Sequence, residues 1–252
     1  MNCKMTVFRL NLYLYAILLF LFSLPASKGI SQPAGTGTDK MSILNKQPVI
    51  IAIDPGHPSE TSNGCSHHGM SENELCWQIA LKLENLIASE PNMRAIKTKN
   101  SINQMVTNRE RAEIANRADA NLLLRLHCDT GNGSGCTIYY PDKQGRAQGV
   151  TGPSREIIEK SLIAAELMQS GLAEILGKDL TLNQIKTDSQ TFVGNKQGAL
   201  TGSIFSKVPA LVVEMVYLNN ASDAAFIKEP QNQLLLAKAL LNGIKKATKV
   251  AQ

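Results

Sequence analysis

Along most of this 252-residue chain, short uninterrupted apolar runs alternate with longer stretches of helical periodicity. Val49, Ile50, Ile51, Ala52 and Ile53 form a continuous, β-branched run that predicts a strand buried on both faces. It stops at the turn Asp54-Pro55-Gly56-His57. Ser71 and Glu74 have the spacing of a capping box, and Leu75, Ile79, Leu83 and Leu86 then recur at helical intervals, which predicts a helix over 72–89. A weaker strand is expected over 94–98, and a helix over 104–117 with Ile114 and Ala118 on one face. A second buried strand over 122–126 ends at His127, a third is read over 137–140, and a long helix over 155–176 stops at Gly177, a residue suited to a C-cap. Periodicity then fades until a last buried strand over 209–213, ending at Glu214, and a closing helix over 233–247. Strands that alternate with helices and are apolar throughout indicate the α/β class: one domain over 48–252, with a mixed, mostly parallel sheet flanked by helices on both faces.

The first residues follow another pattern. Lys4 and Arg9 precede an apolar run over 10–24, and the break Pro25-Ala26-Ser27-Lys28-Gly29 follows it. A positive start, an apolar middle and a small-residue end make a secretory signal, expected over 1–29. The run is shorter than the ~20 residues a spanning helix needs, so no stable membrane span is expected once the signal is cleaved. Residues 30–47, rich in Ser, Gly, Thr and Pro, read as a flexible linker. The expected location is outside the cytoplasm, periplasmic or extracellular.

Charge changes meaning once that signal is set apart. Without Lys4, Arg9 and Lys28, the 26 basic residues become 23 against 21 acidic ones, so the net charge of +5 falls to +2. Nucleic acid is therefore not an expected partner, because phosphate binding needs a clustered basic surface. Beyond the signal lie Cys65, Cys76, Cys128 and Cys136. Pairing Cys128 with Cys136, or Cys65 with Cys76, would close short loops, and free buried thiols are equally compatible with the pattern.

Ligands of sheets such as this collect at the carboxyl ends of the strands, and there the chain places His57, His127 and Glu214. A catalytic zinc takes three protein ligands from His and carboxylate side chains and leaves a fourth position open. His57 and His127 offer two nitrogens, and Glu72, in the first turn of its helix, can turn a carboxylate toward them. Glu214 is then free to act as a general base. Plainer roles are open to each. Glu72 suits the helix dipole, a histidine ending a strand is often structural, and Glu214 could be the buried partner of Arg109, Arg111 or Arg125. His67 and His68, in a polar loop, are either solvated or substitutes for His57. No H-E-x-x-H signature is present.

Four ordered motifs carry a more specific signal: Ile53-Asp54-Pro55-Gly56-His57; Glu72 opening an apolar helix; Arg111-Ala112-Glu113-Ile114-Ala115-Asn116 shortly before His127; and the stretch from Val208 and Pro209 through Glu214 to Asn219 and Asn220. Together they resemble the zinc-dependent type 3 N-acetylmuramoyl-L-alanine amidases, over essentially the whole folded part. The resemblance implies one zinc ion held by His57, Glu72 and His127, and Glu214 as the catalytic residue. It also implies peptidoglycan as substrate, cut at the amide between N-acetylmuramic acid and the L-alanine of the stem peptide. Pro58-Ser59-Glu60-Thr61-Ser62 replaces the family's glycine-rich sequence, and Cys128-Asp129-Thr130 its usual small residues; both changes touch the mouth of the site. A zinc peptide hydrolase could use the same ligands, whereas a non-catalytic wall-binding relative would be expected to have lost one of the four residues. Residues 181–206, with Gly194, Gly198 and Gly202, are either a lid answering to an activating or regulatory protein or a plain surface connection.

Overall fold

The computed structural model describes residues 47–249. The expected signal over 1–29, and the linker over 30–47 apart from Gln47, lie outside the described residues. The elements run β1 (Val49–Pro55), a hairpin of β2 (Ser66–His67) and β3 (Met70–Ser71), α1 (Glu72–Ala88), β4 (Met93–Lys97), α2 (Asn108–Arg117), β5 (Leu122–Asp129) and β6 (Thr137–Tyr140). A second hairpin of β7 (Gly145–Ala147) and β8 (Val150–Gly152) precedes α3 (Arg155–Leu176), β9 (Lys186–Thr187), α4 (Phe192–Gln197), α5 (Thr201–Phe205), β10 (Ala210–Tyr217), α6 (Ala221–Lys228) and α7 (Pro230–Lys249). Six strands form one sheet in the order β4-β1-β5-β10-β6-β9. The first four are mutually parallel, and β6 runs antiparallel to β10. The mixed, mostly parallel sheet read from the sequence is the sheet observed.

Strand alternation divides the core unequally. Ile51 and Ile53, Leu122, Leu124 and Leu126, and Leu211 and Val213 point to one face, where α1, α3 and α7 cover them with Ile79, Leu83, Met168, Leu172, Leu240 and Ile244. Here α3 and α7 touch backbone to backbone: a Cβ added at Gly171 would lie 2.4 Å from the Gly243 Cα. The opposite face is built from smaller groups, with Ala52, Leu123 and Ala210 against Ala112 and Ala115 of α2 and Ile204 and Phe205 of α5. That thinner layer leaves room near the carboxyl ends of the strands for buried charged side chains.

Several boundaries differ from the periodicity. β5 and β10 extend to Asp129 and Tyr217, so His127 and Glu214 lie within strands instead of just past them. α2 starts at Asn108, because Thr107 and Glu110 form the capping box that ends the preceding loop. The box expected at Ser71 does not form; its side chain makes no capping bond, and the Glu72 amide donates instead to the Cys65 carbonyl at 3.0 Å. α6 was not legible in the sequence, and α7 opens at Pro230, where a proline sacrifices no helical hydrogen bond. Among the described residues, no helix is long and apolar enough to cross a membrane.

Candidate active site

β1 ends by delivering His57 in the left-handed backbone region, at φ 57°. Its Nδ1 lies 3.1 Å from the Ser62 carbonyl oxygen. A carbonyl only accepts, so this contact assigns the ring proton to Nδ1 and leaves Nε2 with its lone pair exposed. That Nε2 is 3.2 Å from Glu72 Oε1, and His127 Nδ1 is 3.1 Å from the same oxygen. The two imidazoles meet edge to face, with centroids 5.0 Å apart.

Glu72 is 4% exposed. Its carboxylate is not committed to the helix dipole alone: Oε1 accepts the Cys128 amide at 3.1 Å and Oε2 the Cys65 amide at 3.0 Å. Burial by itself would raise its pKa, but the two imidazoles beside it, His127 first and then His57, outweigh that and hold its pKa well below the ordinary carboxylate range. Burial also favours the neutral form of His127. With neutral rings, lone pairs on two nitrogens and a carboxylate oxygen converge within 4.8 Å. Such a set repels itself unless a cation lies among the donors, and two histidines with one carboxylate are a donor set suited to a catalytic zinc. Among the described residues this is the group that could hold a metal. His67 and His68 sit on the exposed hairpin, His68 Nε2 being 3.3 Å from the Asn219 carbonyl oxygen, and neither joins the cluster.

Glu214 pairs in register with His127 across β10 and β5 and faces the same cleft. Its Oε2 is buried without a hydrogen-bond partner. Burial first, then the charges of Asp129 and Glu72, push its pKa well above the carboxylate range. It is not the partner of an arginine. Arg109 pairs with Glu113 at 2.7 Å, while Arg111 and Arg125 both bind Asp54, at 2.5 and 2.8 Å.

That last network escaped the sequence reading. Asp54, fully buried, closes the apolar run of β1 and also accepts from Thr98 Oγ1 at 2.5 Å. Arg111 reaches on to the Pro55 and Pro58 carbonyls, at 2.7 and 2.8 Å, and so braces the loop bearing His57. Lys99 braces it from another side, donating to the His57 carbonyl, to Asn73 Oδ1 at 2.7 Å and to the Ile102 carbonyl at 3.0 Å. An acid closing a buried apolar run, three residues before His57, was the available signal.

The cleft encloses about 180 Å³. One wall comes from the segment over 181–206, through Val193, Leu200 and Thr201, so this stretch is no mere surface connection. Within the segment, Asp188 accepts the Leu200 amide at 3.0 Å and so folds the stretch on itself. The four cysteines of the described residues, Cys65, Cys76, Cys128 and Cys136, are free thiols, and neither short-loop pairing is made. Cys65 Sγ instead donates to the Cys128 carbonyl oxygen at 3.8 Å.

The chain and its fold are similar to known proteins. Over 250 residues the chain is 24% identical to the N-acetylmuramoyl-L-alanine amidase AmiC of Escherichia coli, covering 88% of this chain and 56% of that protein. The chain thus spans little more than half the length of that relative. The fold matches the crystal structure of the amidase Ami1 of Mycobacterium smegmatis, with a TM-score of 0.67 and 19% identity over 81% of this chain and 98% of that one. It also matches the CwlD amidase of Clostridioides difficile, solved in complex with the GerS lipoprotein, with a TM-score of 0.61 and 19% identity over 80% and 99% of the two chains. The profile of the Amidase_3 family, described as N-acetylmuramoyl-L-alanine amidase, matches residues 51–246, nearly the whole described domain, and the chain therefore belongs to that family.

Proposed function

We propose that this protein is a zinc-dependent N-acetylmuramoyl-L-alanine amidase that cuts the amide between N-acetylmuramic acid and the L-alanine of the peptidoglycan stem. The observation that carries the reading is the convergence of His57, Glu72 and His127 beside Glu214, whose Oε2 is buried with no hydrogen-bond partner among the described residues. His57, Glu72 and His127 are the proposed zinc ligands. A zinc ion, when bound, supplies Lewis acidity that brings the pKa of water down to about 7.

The chain's own residues do the rest. The Ser62 carbonyl holds the His57 tautomer, and the Cys65 and Cys128 amides hold the Glu72 carboxylate, so the donors need little reorganisation. Glu214 Oε2 takes a proton from the attacking water and returns it to the departing L-alanine amine. Its raised pKa suits both halves of that transfer, since a carboxyl poised nearer neutrality can accept and release a proton at working pH. The wall built by Val193 and Leu200 limits access of bulk water.

The sequence over 1–29 is proposed as an export signal and 30–47 as a linker to the catalytic domain over 48–252, placing the enzyme where peptidoglycan is, in the periplasm or outside the cell. A regulatory protein partner is proposed by analogy with CwlD, which was solved with a lipoprotein bound. The deciding experiment is metal analysis of the purified protein together with digestion of peptidoglycan. The expected result is one zinc per chain and release of stem peptides with free L-alanine amino termini, abolished by a chelator and restored by zinc. Cleavage within the peptide, or none in the zinc-loaded protein, would overturn the reading.

A further inference from the structure

Arg125 stands two residues before His127 on β5, on the same face of the strand, with Val212 opposite it as Glu214 is opposite His127. Its guanidinium is anchored on two sides: Nε donates to Asp54 Oδ2 at 2.8 Å and Nη2 to Asn108 Oδ1 at 2.5 Å. Its Nη1 hydrogens meet no acceptor among the described residues, although Arg125 is only 5% exposed and lines the cleft shared by His57, His127 and Glu214. The chain makes space for this group. A Cβ at Gly202 would fall 2.6 Å from Nη1 and 2.9 Å from Cζ. Two guanidiniums share the single carboxylate of Asp54, so Asp54 by itself does not neutralise Arg125. Asp188 and Glu214 attract Arg125 without hydrogen-bonding it, so neither occupies Nη1.

An immobilised arginine with unused donors at the floor of a cleft is a carboxylate receptor. Its position selects which carboxylate. The Cα atoms of Arg125 and His127 are separated by about 6.6 Å, two strand residues. An extended peptide places the α-carboxylate of its second residue about 7 Å from its amino nitrogen. We infer that Arg125 Nη1 binds the free α-carboxylate of the second residue of the stem peptide, fixing the register in which the L-alanine amide meets the cluster of His57, Glu72 and His127. This assignment rests on the amidase reading and adds to it a specificity-determining residue: stems carrying a carboxylate at that position are preferred over stems carrying a carboxamide.

The test compares two ligands, L-alanyl-D-glutamate with its side-chain carboxyl blocked as the methylamide, and the same compound with the α-carboxylate converted to carboxamide. Calorimetry on the zinc-loaded protein is expected to give about 10- to 100-fold tighter binding of the carboxylate, the range for a charge-assisted hydrogen bond. In Arg125→Gln the ratio should fall close to one. Should that variant fail to fold, Gly202→Ala decides the matter, because its methyl displaces the guanidinium without removing charge, and the ratio should again drop. A ratio unchanged in a folded variant, or one that vanishes only with a chelator, overturns the assignment and gives the preference to the metal. Release of stem peptides from peptidoglycan, measured on the same preparation, tests the amidase reading separately. Release without carboxylate preference removes the Arg125 anchor and leaves the amidase; preference without release keeps the anchor and removes the amidase.

Discussion

Glu214 stands opposite His127 in the parallel pairing of β10 with β5, and its Oε2 is buried with no hydrogen-bond donor to meet it. A carboxylate left this way costs stability, so its place beside the His57, Glu72 and His127 cluster is best explained by chemistry instead of packing. Glu214→Gln should accordingly keep the fold and the bound zinc while cleaving peptidoglycan about 10²–10⁴ times more slowly, the usual worth of a positioned general base. Zinc content, melting temperature and stem-peptide release on one preparation check this. A folded, zinc-loaded variant with near wild-type rate would remove Glu214 from the mechanism.

His127→Ala should lose zinc, since two donors compete poorly for the ion. In the wild type, zinc at a hundredfold excess over its dissociation constant should stabilise the fold by about 2.7 kcal/mol. The measurement is the melting temperature with and without zinc. The wild type is expected to shift upward and the variant not to respond; an equal shift in both would exclude His127 as a ligand.

Asp54 carries a pH-dependent share of the stability. Burial would raise its pKa, but the guanidiniums of Arg111 and Arg125, with the Thr98 hydroxyl, hold it well below its ordinary 3.8. A carboxyl depressed on folding contributes stability that is present above its unfolded pKa and is lost as pH falls toward the folded one. The wild-type melting temperature should therefore drop as pH falls below about 4, and that drop should be shallower in Asp54→Asn. At neutral pH the substitution breaks a buried ion pair and should cost about 3–5 kcal/mol by denaturant titration.

The four cysteines should alkylate without reductant once the protein is unfolded, and reductant should leave the melting temperature unchanged. In the native state the reaction should be slow, because burial pushes Cys136 up to about 12 and burial with the Glu72 charge does the same to Cys65, leaving little thiolate. A melting temperature lowered by reductant would reveal a disulfide and overturn this expectation.

Much of the architecture was written locally. The apolar runs of β1, β5 and β10 and the periodicity of α1 and α3 survive into the structure, because burial on both sheet faces demands uninterrupted apolar side chains and burial on one helix face demands a 3.6-residue rhythm. His57, Glu72, His127 and Glu214 could be named for the same reason: each is a polar residue where such a pattern breaks. Three-dimensional packing decided how those positions are used. Glu72 meets both histidines because the Cys65 and Cys128 amides, seven residues away on one side and 56 on the other, aim its carboxylate. Asp54 took both Arg111 and Arg125, across 57 and 71 positions, and so left Glu214 without an arginine. The segment over 181–206 became a cleft wall through Val193, Leu200 and Thr201, and its internal bond from the Leu200 amide to Asp188 is one that no periodicity announces. A hydrophobic pattern encodes which side of an element is buried, whereas the partner of a buried charge depends on which distant strand arrives beside it, and that is determined only when the sheet assembles.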